Sequence, residues 1–208
     1  MLRASTIAAQ AMVHTLSRSA HRLAILWSCA TGVLFAVLTL EVAGASAVTF
    51  VAPSTFAGMP TAVRRDLEGR GCQVPQAFGE PQPHNVIEGH FLSATSRDIA
   101  VLCSVGGVSS ILVYAQGRAE TPLALARAAD SDYLQTIDGD GTWGFSRRLE
   151  ALRAPHFARL LDRPPAATGQ DPHPARIEHD AIGDAFLLKG RTAHYWTGSR
   201  WLAISIAD

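Results

Sequence analysis

The chain lacks net charge and lacks the short motifs of the common catalytic sites, and each absence argues against a class of function. Its 18 basic and 18 acidic side chains cancel, whereas a nucleic-acid surface needs clustered lysine and arginine. No GxSxG, SxxK, P-loop or HExxH pattern is present, so no standard serine nucleophile, phosphate loop or zincin helix is indicated. We therefore expect no nucleic-acid partner, no cofactor and no catalytic residue that a motif would identify.

Cysteine is also scarce, with three residues in the 208. None belongs to a CxxC or a Cys/His spacing, so a zinc site is not indicated. Cys29 lies in an N-terminal leader, which leaves Cys72 and Cys103 in the exported part. An even count in an exported chain predicts a Cys72–Cys103 disulfide, with two buried free thiols as the alternative.

The N-terminal region has the pattern of an export signal. Residues 23–40 form an uncharged apolar run that follows Arg18 and Arg22, and residues 45–47 read Ala-Ser-Ala, a signal-cleavage pattern. Cleavage after Ala47 would leave 161 residues with 15 basic and 17 acidic side chains, since three arginines and one glutamate depart. We expect a secreted or periplasmic protein. Because the apolar run approaches the ~20 residues that cross a bilayer, an uncleaved membrane anchor is the alternative.

The exported part, residues 48–208, reads as a single α+β domain in which antiparallel hairpins predominate. Two strands, at 98–103 and 109–114, are almost entirely apolar and should be buried on both faces. The other predicted strands cover residues 86–91, 133–137, 185–189, 192–197 and 201–206. Short helices are predicted at 60–68, 121–128 and 147–161, the last broken or restarted at Pro155.

Two stretches of the domain are similar to each other. Residues 89–114 and 179–196 each contain an acidic residue that opens an apolar strand, then a turn and a second apolar strand. The pattern resembles the FG-GAP or VCBS-type repeat of integrin-like β-propeller blades, and it is similar to exported bacterial proteins with the same strand motifs. The resemblance implies blade-like sheets at about 86–114 and 184–206, not an activity. Residues 92–98, where the repeat would bind calcium, contain one carboxylate, and two repeats cannot close a propeller.

Two groups of polar residues are candidates for a ligand or a metal. His179, Asp180 and Asp184 could converge on a cation or a substrate hydroxyl, or they could hydrogen-bond to loop amides in a structural role. Asp138 and Asp140 lie in a Gly-rich turn that resembles part of a calcium loop. The twelfth position of an EF-hand is not acidic there, so a simple turn is favoured over calcium.

Aromatic and basic side chains give two further candidate surfaces. Tyr195, Trp196 and Trp201 lie on either side of the turn of the last predicted hairpin. They could stack on a sugar or a peptide, or they could anchor the core. Four arginines between 147 and 159 would form a solvated stripe on the predicted helix. Ser109 and Ser110 open a strand and are expected to face solvent.

The sequence therefore favours a secreted or periplasmic, non-enzymatic binding module whose ligand is a protein or glycan of the cell envelope. The alternative is a metal-dependent or hydrolase-like envelope enzyme that uses His179, Asp180 and Asp184. The membrane is a partner only if the leader is not cleaved.

Overall fold

The computed structural model describes residues 48–137, 139, 141–162 and 173–206. The predicted leader, residues 1–47, lies outside them. The strands are β1 (Thr49–Val51), β2 (Val74–Gln76), β3 (Val86–Gly89), β4 (Asp98–Val105), β5 (Val108–Tyr114), β6 (Leu123–Ala129), β7 (Leu134–Thr136), β8 (Trp143–Phe145), β9 (Arg147–Leu152), β10 (Ala181–Phe186), β11 (Gly190–Trp196) and β12 (Trp201–Ile206). The α-helices are α1 (Thr61–Gly69) and α2 (Ala154–Leu161). Antiparallel sheets, two short helices in the described residues and one disulfide confirm the predicted fold class.

Two four-stranded antiparallel sheets form most of the structure. Sheet 1 has the order β3-β4-β5-β6 and sheet 2 the order β9-β10-β11-β12, so neighbours in each sheet are also successive strands in the chain. The strands predicted at 86–91, 98–103, 109–114 and 201–206 are confirmed, and β4 is buried over all but its last residue. Two short antiparallel pairs, β1-β2 and β7-β8, complete the two-stranded sheets; α1 lies in the chain between β1 and β2.

The two sheets share an apolar core. Strand alternation sends Ala100 and Leu102 of β4 to the same face, where Leu149 and Ile182 of sheet 2 join them. The other buried members of this core are Phe91, Ile111, Val113 and Phe145. Because each Å² of buried apolar surface stabilises the fold by about 25 cal/mol, this contact contributes strongly to stability.

A helix covers the outer face of each sheet. In α1, Val63 and Leu67 lie at i and i+4, are fully buried, and pack on the face of sheet 1 that holds Val101 and Cys103. The turn after this helix uses Gly71, whose φ of 69° favours glycine. On sheet 2, Phe157 of α2 is buried in a separate cluster that includes residues of β10, β11 and β12. No helix in the described ranges is long and apolar enough to cross a membrane.

Two predicted helices were wrong in whole or in part. Residues 121–128 were predicted as a helix, but Leu123–Ala129 form the edge strand β6. Alanine and leucine favour helix, yet pairing with β5 overrides that weak preference. Residues 147–161 form strand β9, which pairs with β10, followed by α2. Pro155 lies in the first turn of α2, where its missing N–H costs nothing.

The revised strand assignment also corrects two statements about exposure. The four arginines do not form one helical stripe: Arg147 and Arg148 lie on β9, and the Arg147 side chain is fully buried. Ser109 is likewise buried rather than solvent-facing. The strand predicted at 185–189 instead covers Ala181–Phe186, and residues 187–189 form the turn after it. The strand predicted at 192–197 covers Gly190–Trp196.

Candidate functional site

The structure does not bring His179, Asp180 and Asp184 together into one cluster. His179 and Asp180 precede β10, whereas Asp184 lies within the strand, about 13 Å further along it at the usual rise per residue. Among the described residues, Asp184 shares no hydrogen-bond partner with the other two. Each of the three therefore has to be considered in its own surroundings.

The Asp180 carboxylate binds main-chain amides. Its Oδ2 atom accepts the His90 N–H at 3.1 Å and Nη1 of Arg153 at 2.8 Å, and its Oδ1 atom accepts the Ala154 N–H at 3.0 Å. Because Ala154 is the first residue of α2, this carboxylate satisfies an N–H that the helix itself leaves unbonded. Burial would raise the pKa of Asp180, but these hydrogen bonds outweigh it and lower the pKa below its usual value.

Both nitrogens of the His179 ring also lie against main-chain atoms. Nδ1 is 3.0 Å from the Asp180 carbonyl oxygen, and Nε2 is 3.0 Å from the Trp196 carbonyl oxygen. The ring stacks on Tyr195, with centroids 4.4 Å apart and planes 10° from parallel. The ring thus holds the segment before β10 against the end of β11.

Asp184 forms an ion pair with Arg147 inside sheet 2, and the same arginine reaches across to sheet 1. Its carboxylate accepts two hydrogen bonds from the Arg147 guanidinium, from Nε at 2.9 Å and Nη2 at 2.7 Å. The same guanidinium donates from Nη1 to the Ser109 hydroxyl at 3.0 Å and from Nη2 to the Ala126 carbonyl at 2.7 Å, and it lies 4.6 Å from the centre of the Tyr133 ring. We call Arg147, Asp184, Ser109, Ala126 and Tyr133 the inter-sheet clamp.

The surroundings of the clamp keep its carboxylate charged. Burial alone would raise the pKa of Asp184, but the side chains of His194 and Arg147 outweigh it and lower the pKa below its usual range. For Tyr133, burial and the nearby Asp184 charge raise the pKa of the phenol. Ala126 adopts a φ of 51°, in the left-handed region, beside a register shift in the β5-β6 pairing. The irregular edge strand thereby presents the Ala126 carbonyl to Arg147.

A third buried carboxylate, Asp98, has the place in sheet 1 that Asp180 has in sheet 2. It opens β4 as Asp180 precedes β10, and its Oδ2 atom accepts the N–H groups of Phe91 and Leu92, both at 2.9 Å. Its Oδ1 atom accepts the Gln116 N–H at 3.0 Å. Asp98 and Asp180, one in each of the two similar stretches, therefore both hold neighbouring segments in place by accepting main-chain hydrogen bonds. The sequence similarity indicated only that each stretch has an acidic residue.

The weaker metal candidates are not tested by the structure. Asp138 and Asp140 lie outside the described residues. Within the described ranges, no group of three or more His, Cys, Asp or Glu side chains is arranged to hold a metal ion.

The three aromatic candidates near the last hairpin do not form one platform. Tyr195 is buried and packs on Phe157, on the α2 side of sheet 2. Trp196 and Trp201 lie directly opposite each other on the paired strands, with ring centroids 5.5 Å apart, and both are half-buried. Strand alternation places these two indoles on the face opposite to Tyr195.

A groove of about 410 Å³ lies beside the last hairpin. We call it the aromatic groove, and its volume falls in the range of ligand sites. Arg176 and Glu178 form an exposed ion pair in its wall. Its lining consists of residues 92–94, 174–176, 178, 179 and 195–198. The groove thus combines aromatic rings, exposed charges and the hydroxyl-bearing residues of two turns.

The lowered pKa values of Asp180 and Asp184 predict a loss of stability in acid. A carboxyl whose pKa is lower in the folded state stabilises the protein above its unfolded pKa of about 4, and this contribution disappears as the pH falls through the folded value. We expect the free energy of unfolding, measured by urea titration, to be level from pH 7 to about pH 5 and to decrease below pH 4. The Asp180→Asn variant should show a shallower decrease. An equally steep decrease in that variant would contradict the assignment of Asp180.

The chain matches no protein-family model, no curated protein and no solved structure.

Proposed function

We propose that the protein is an exported, non-enzymatic binding module that holds a glycan of the cell envelope in the aromatic groove. The observation that carries the proposal is the half-buried indole of Trp196 in a groove that also has exposed hydrogen-bonding groups. An indole face packs against the apolar face of a sugar ring, while Arg176 and Glu178 can bind its hydroxyls. The leader pattern and the Cys72–Cys103 disulfide support export, because disulfides persist in oxidising compartments.

The contacts of the polar candidates favour binding over catalysis. A general base must lie within hydrogen-bond reach of substrate. His179, Asp180 and Asp184 are all buried. Asp180 accepts three hydrogen bonds from the protein, Asp184 is held by Arg147 at both oxygens, and both His179 nitrogens face carbonyl oxygens. The enzyme alternative would require these side chains to leave partners that hold the two sheets and α2 together.

The internal similarity fits a pair of blade-like sheets. Sheet 1 and sheet 2 are both four-stranded antiparallel meanders, which supports the resemblance to FG-GAP or VCBS-type repeats. Helices α1 and α2 pack on their outer faces, so further blades would have to displace those helices. We propose a two-sheet module that uses loops at the sheet ends for recognition.

Replacing Trp196 with alanine is expected to weaken glycan binding at least tenfold, because the variant loses the stacking surface. The measurement is co-sedimentation with purified cell-wall sacculi, chitin and cellulose, followed by calorimetry with a soluble fragment of whichever polymer binds. Trp143→Ala is the matched control, because Trp143 is 57% exposed and does not line the groove.

Two results would overturn the proposal. One is that none of the three polymers binds the unmodified protein. The other is that Trp143→Ala and Trp196→Ala lose binding equally. Near-ultraviolet circular dichroism of both variants checks that the fold is kept.

A further inference from the structure

A second cavity, of about 440 Å³, lies on the face of sheet 2 that carries the inter-sheet clamp. Its floor is a row of polar side chains across three strands: Asp184 of β10 lies opposite Thr192 of β11, which lies opposite Ser205 of β12. Because directly opposed residues point to the same face of a sheet, the three side chains form one continuous polar strip. We call this space the charged cavity.

Four polar groups that line the charged cavity have no hydrogen bond or ion pair with a described residue. The hydroxyls of Thr192 and Ser205 make no hydrogen bond to any described residue. Asp132 and Lys189 are exposed at the wall and form no ion pair within the described ranges, either with each other or with another side chain. By contrast, the Asp184 carboxylate is compensated by Arg147.

Arg191, whose charge is paired with Glu150, also lines the cavity, and the rest of the lining is glycine, aromatic or apolar. Tyr133 and Phe186 contribute rings whose centroids are 5.2 Å apart, and Ala128 of β6 closes one side. The Lys189 ammonium lies 4.2 Å from the centre of the Phe186 ring, a cation–π contact that holds it at the cavity. The cavity therefore offers a positive group, a negative group and an apolar surface to a single ligand.

This combination selects the charge of the ligand. A divalent cation would be repelled by Lys189, and a multiply charged anion by Asp132. A zwitterion satisfies both sides, since its carboxylate can bind Lys189 and the two hydroxyls while its ammonium binds Asp132. A cavity of this volume has room for more than a single amino acid.

We propose that the charged cavity binds a small zwitterion of dipeptide size, with a free ammonium group and a free carboxylate. Lys189, Thr192 and Ser205 bind the carboxylate, Asp132 binds the ammonium, and the rings of Tyr133 and Phe186 contact the apolar part. The site is independent of the aromatic groove, because the two cavities share no lining residue.

The test uses the whole exported chain and three dipeptide libraries. The first has free ends, the second is N-acetylated and the third is C-amidated, so each capped library lacks one of the two terminal charges. Native mass spectrometry should show adducts with the free library and none with either capped library. The tightest binder is then titrated by calorimetry. Lys189→Met and Asp132→Asn should each weaken its binding at least tenfold, and Trp196→Ala should leave it unchanged.

Arg118→Met and Glu120→Gln are the matched charge controls, because these residues are exposed, pair weakly with each other and lie outside the cavity lining. The proposal is overturned if the free library gives no adduct, if the capped libraries bind as well, or if both cavity variants retain full affinity. If the unmodified protein binds the dipeptide but none of the glycan polymers, only the aromatic-groove proposal is rejected, so the two proposals fail separately.

Discussion

Replacing Arg147 with methionine is expected to lower the free energy of unfolding by about 3 to 5 kcal/mol, the usual effect of removing one partner from a buried ion pair. The guanidinium is fully buried and donates to Asp184, Ser109 and Ala126. Methionine would fill much of the volume but leave the Asp184 carboxylate buried without its counter-charge. It would also leave the Ser109 hydroxyl and the Ala126 carbonyl without their donor, although these neutral groups cost less.

Urea unfolding of matched variants separates loss of the ion pair from loss of packing. Arg148→Met removes a neighbouring arginine of β9 whose partially exposed side chain pairs with Glu80, and it should cost less than about 1 kcal/mol. The double variant Arg147→Met with Asp184→Leu removes both charges and should regain at least half of the lost stability. An Arg147→Met variant within about 1 kcal/mol of the unmodified protein would show that the clamp adds little to the stability that the shared apolar core provides.

The clamp also shows where inference from sequence stops. Residues 98–103 and 109–114 were predicted correctly because continuous apolar runs between turns are typical of buried strands. The pair Arg147-Arg148 carries no such signal, because arginine is mostly exposed and the flanking residues suited a helix. Arg147 is buried because it pairs with Asp184, which is 37 residues away in sequence. It also donates to the carbonyl of Ala126, a residue of the edge strand β6 in the left-handed conformation.

The candidate sites were predictable to a similar degree. Asp180 was singled out as a residue that could bind loop amides, and it does so. The joint cluster with Asp184 was not found, because four residues of extended chain put Asp184 about 13 Å from Asp180. Thr192 and Ser205 gave no signal at all, because only the register of β11 against β12 places their hydroxyls side by side.

Removing the Cys72–Cys103 disulfide is expected to lower the free energy of unfolding by about 3 to 4 kcal/mol. The bridge joins residues 31 apart in sequence, and in the chain-entropy model a loop of that length is worth this amount. It ties the turn after α1 to β4, and both cysteines are buried in the cluster that packs α1 on sheet 1. Its loss should therefore loosen α1 first. The measurement is urea unfolding of the double variant Cys72→Ala, Cys103→Ala, in which alanine avoids placing new hydroxyls in the apolar cluster.

Reductant provides the control that assigns the effect to the bridge itself. The unmodified protein should lose a comparable amount of stability when it is reduced, whereas the double alanine variant should be insensitive to reductant. Because alanine also leaves small voids in a close-packed cluster, the variant should be somewhat less stable than the reduced protein. If reductant changes neither protein, or if the variant unfolds within about 1 kcal/mol of the oxidised chain, then packing of Val63 and Leu67 rather than the covalent link holds α1 in place. The expected result instead makes the stability of this module depend on an oxidising compartment, which is the physical link between its cysteines and the export that its leader predicts.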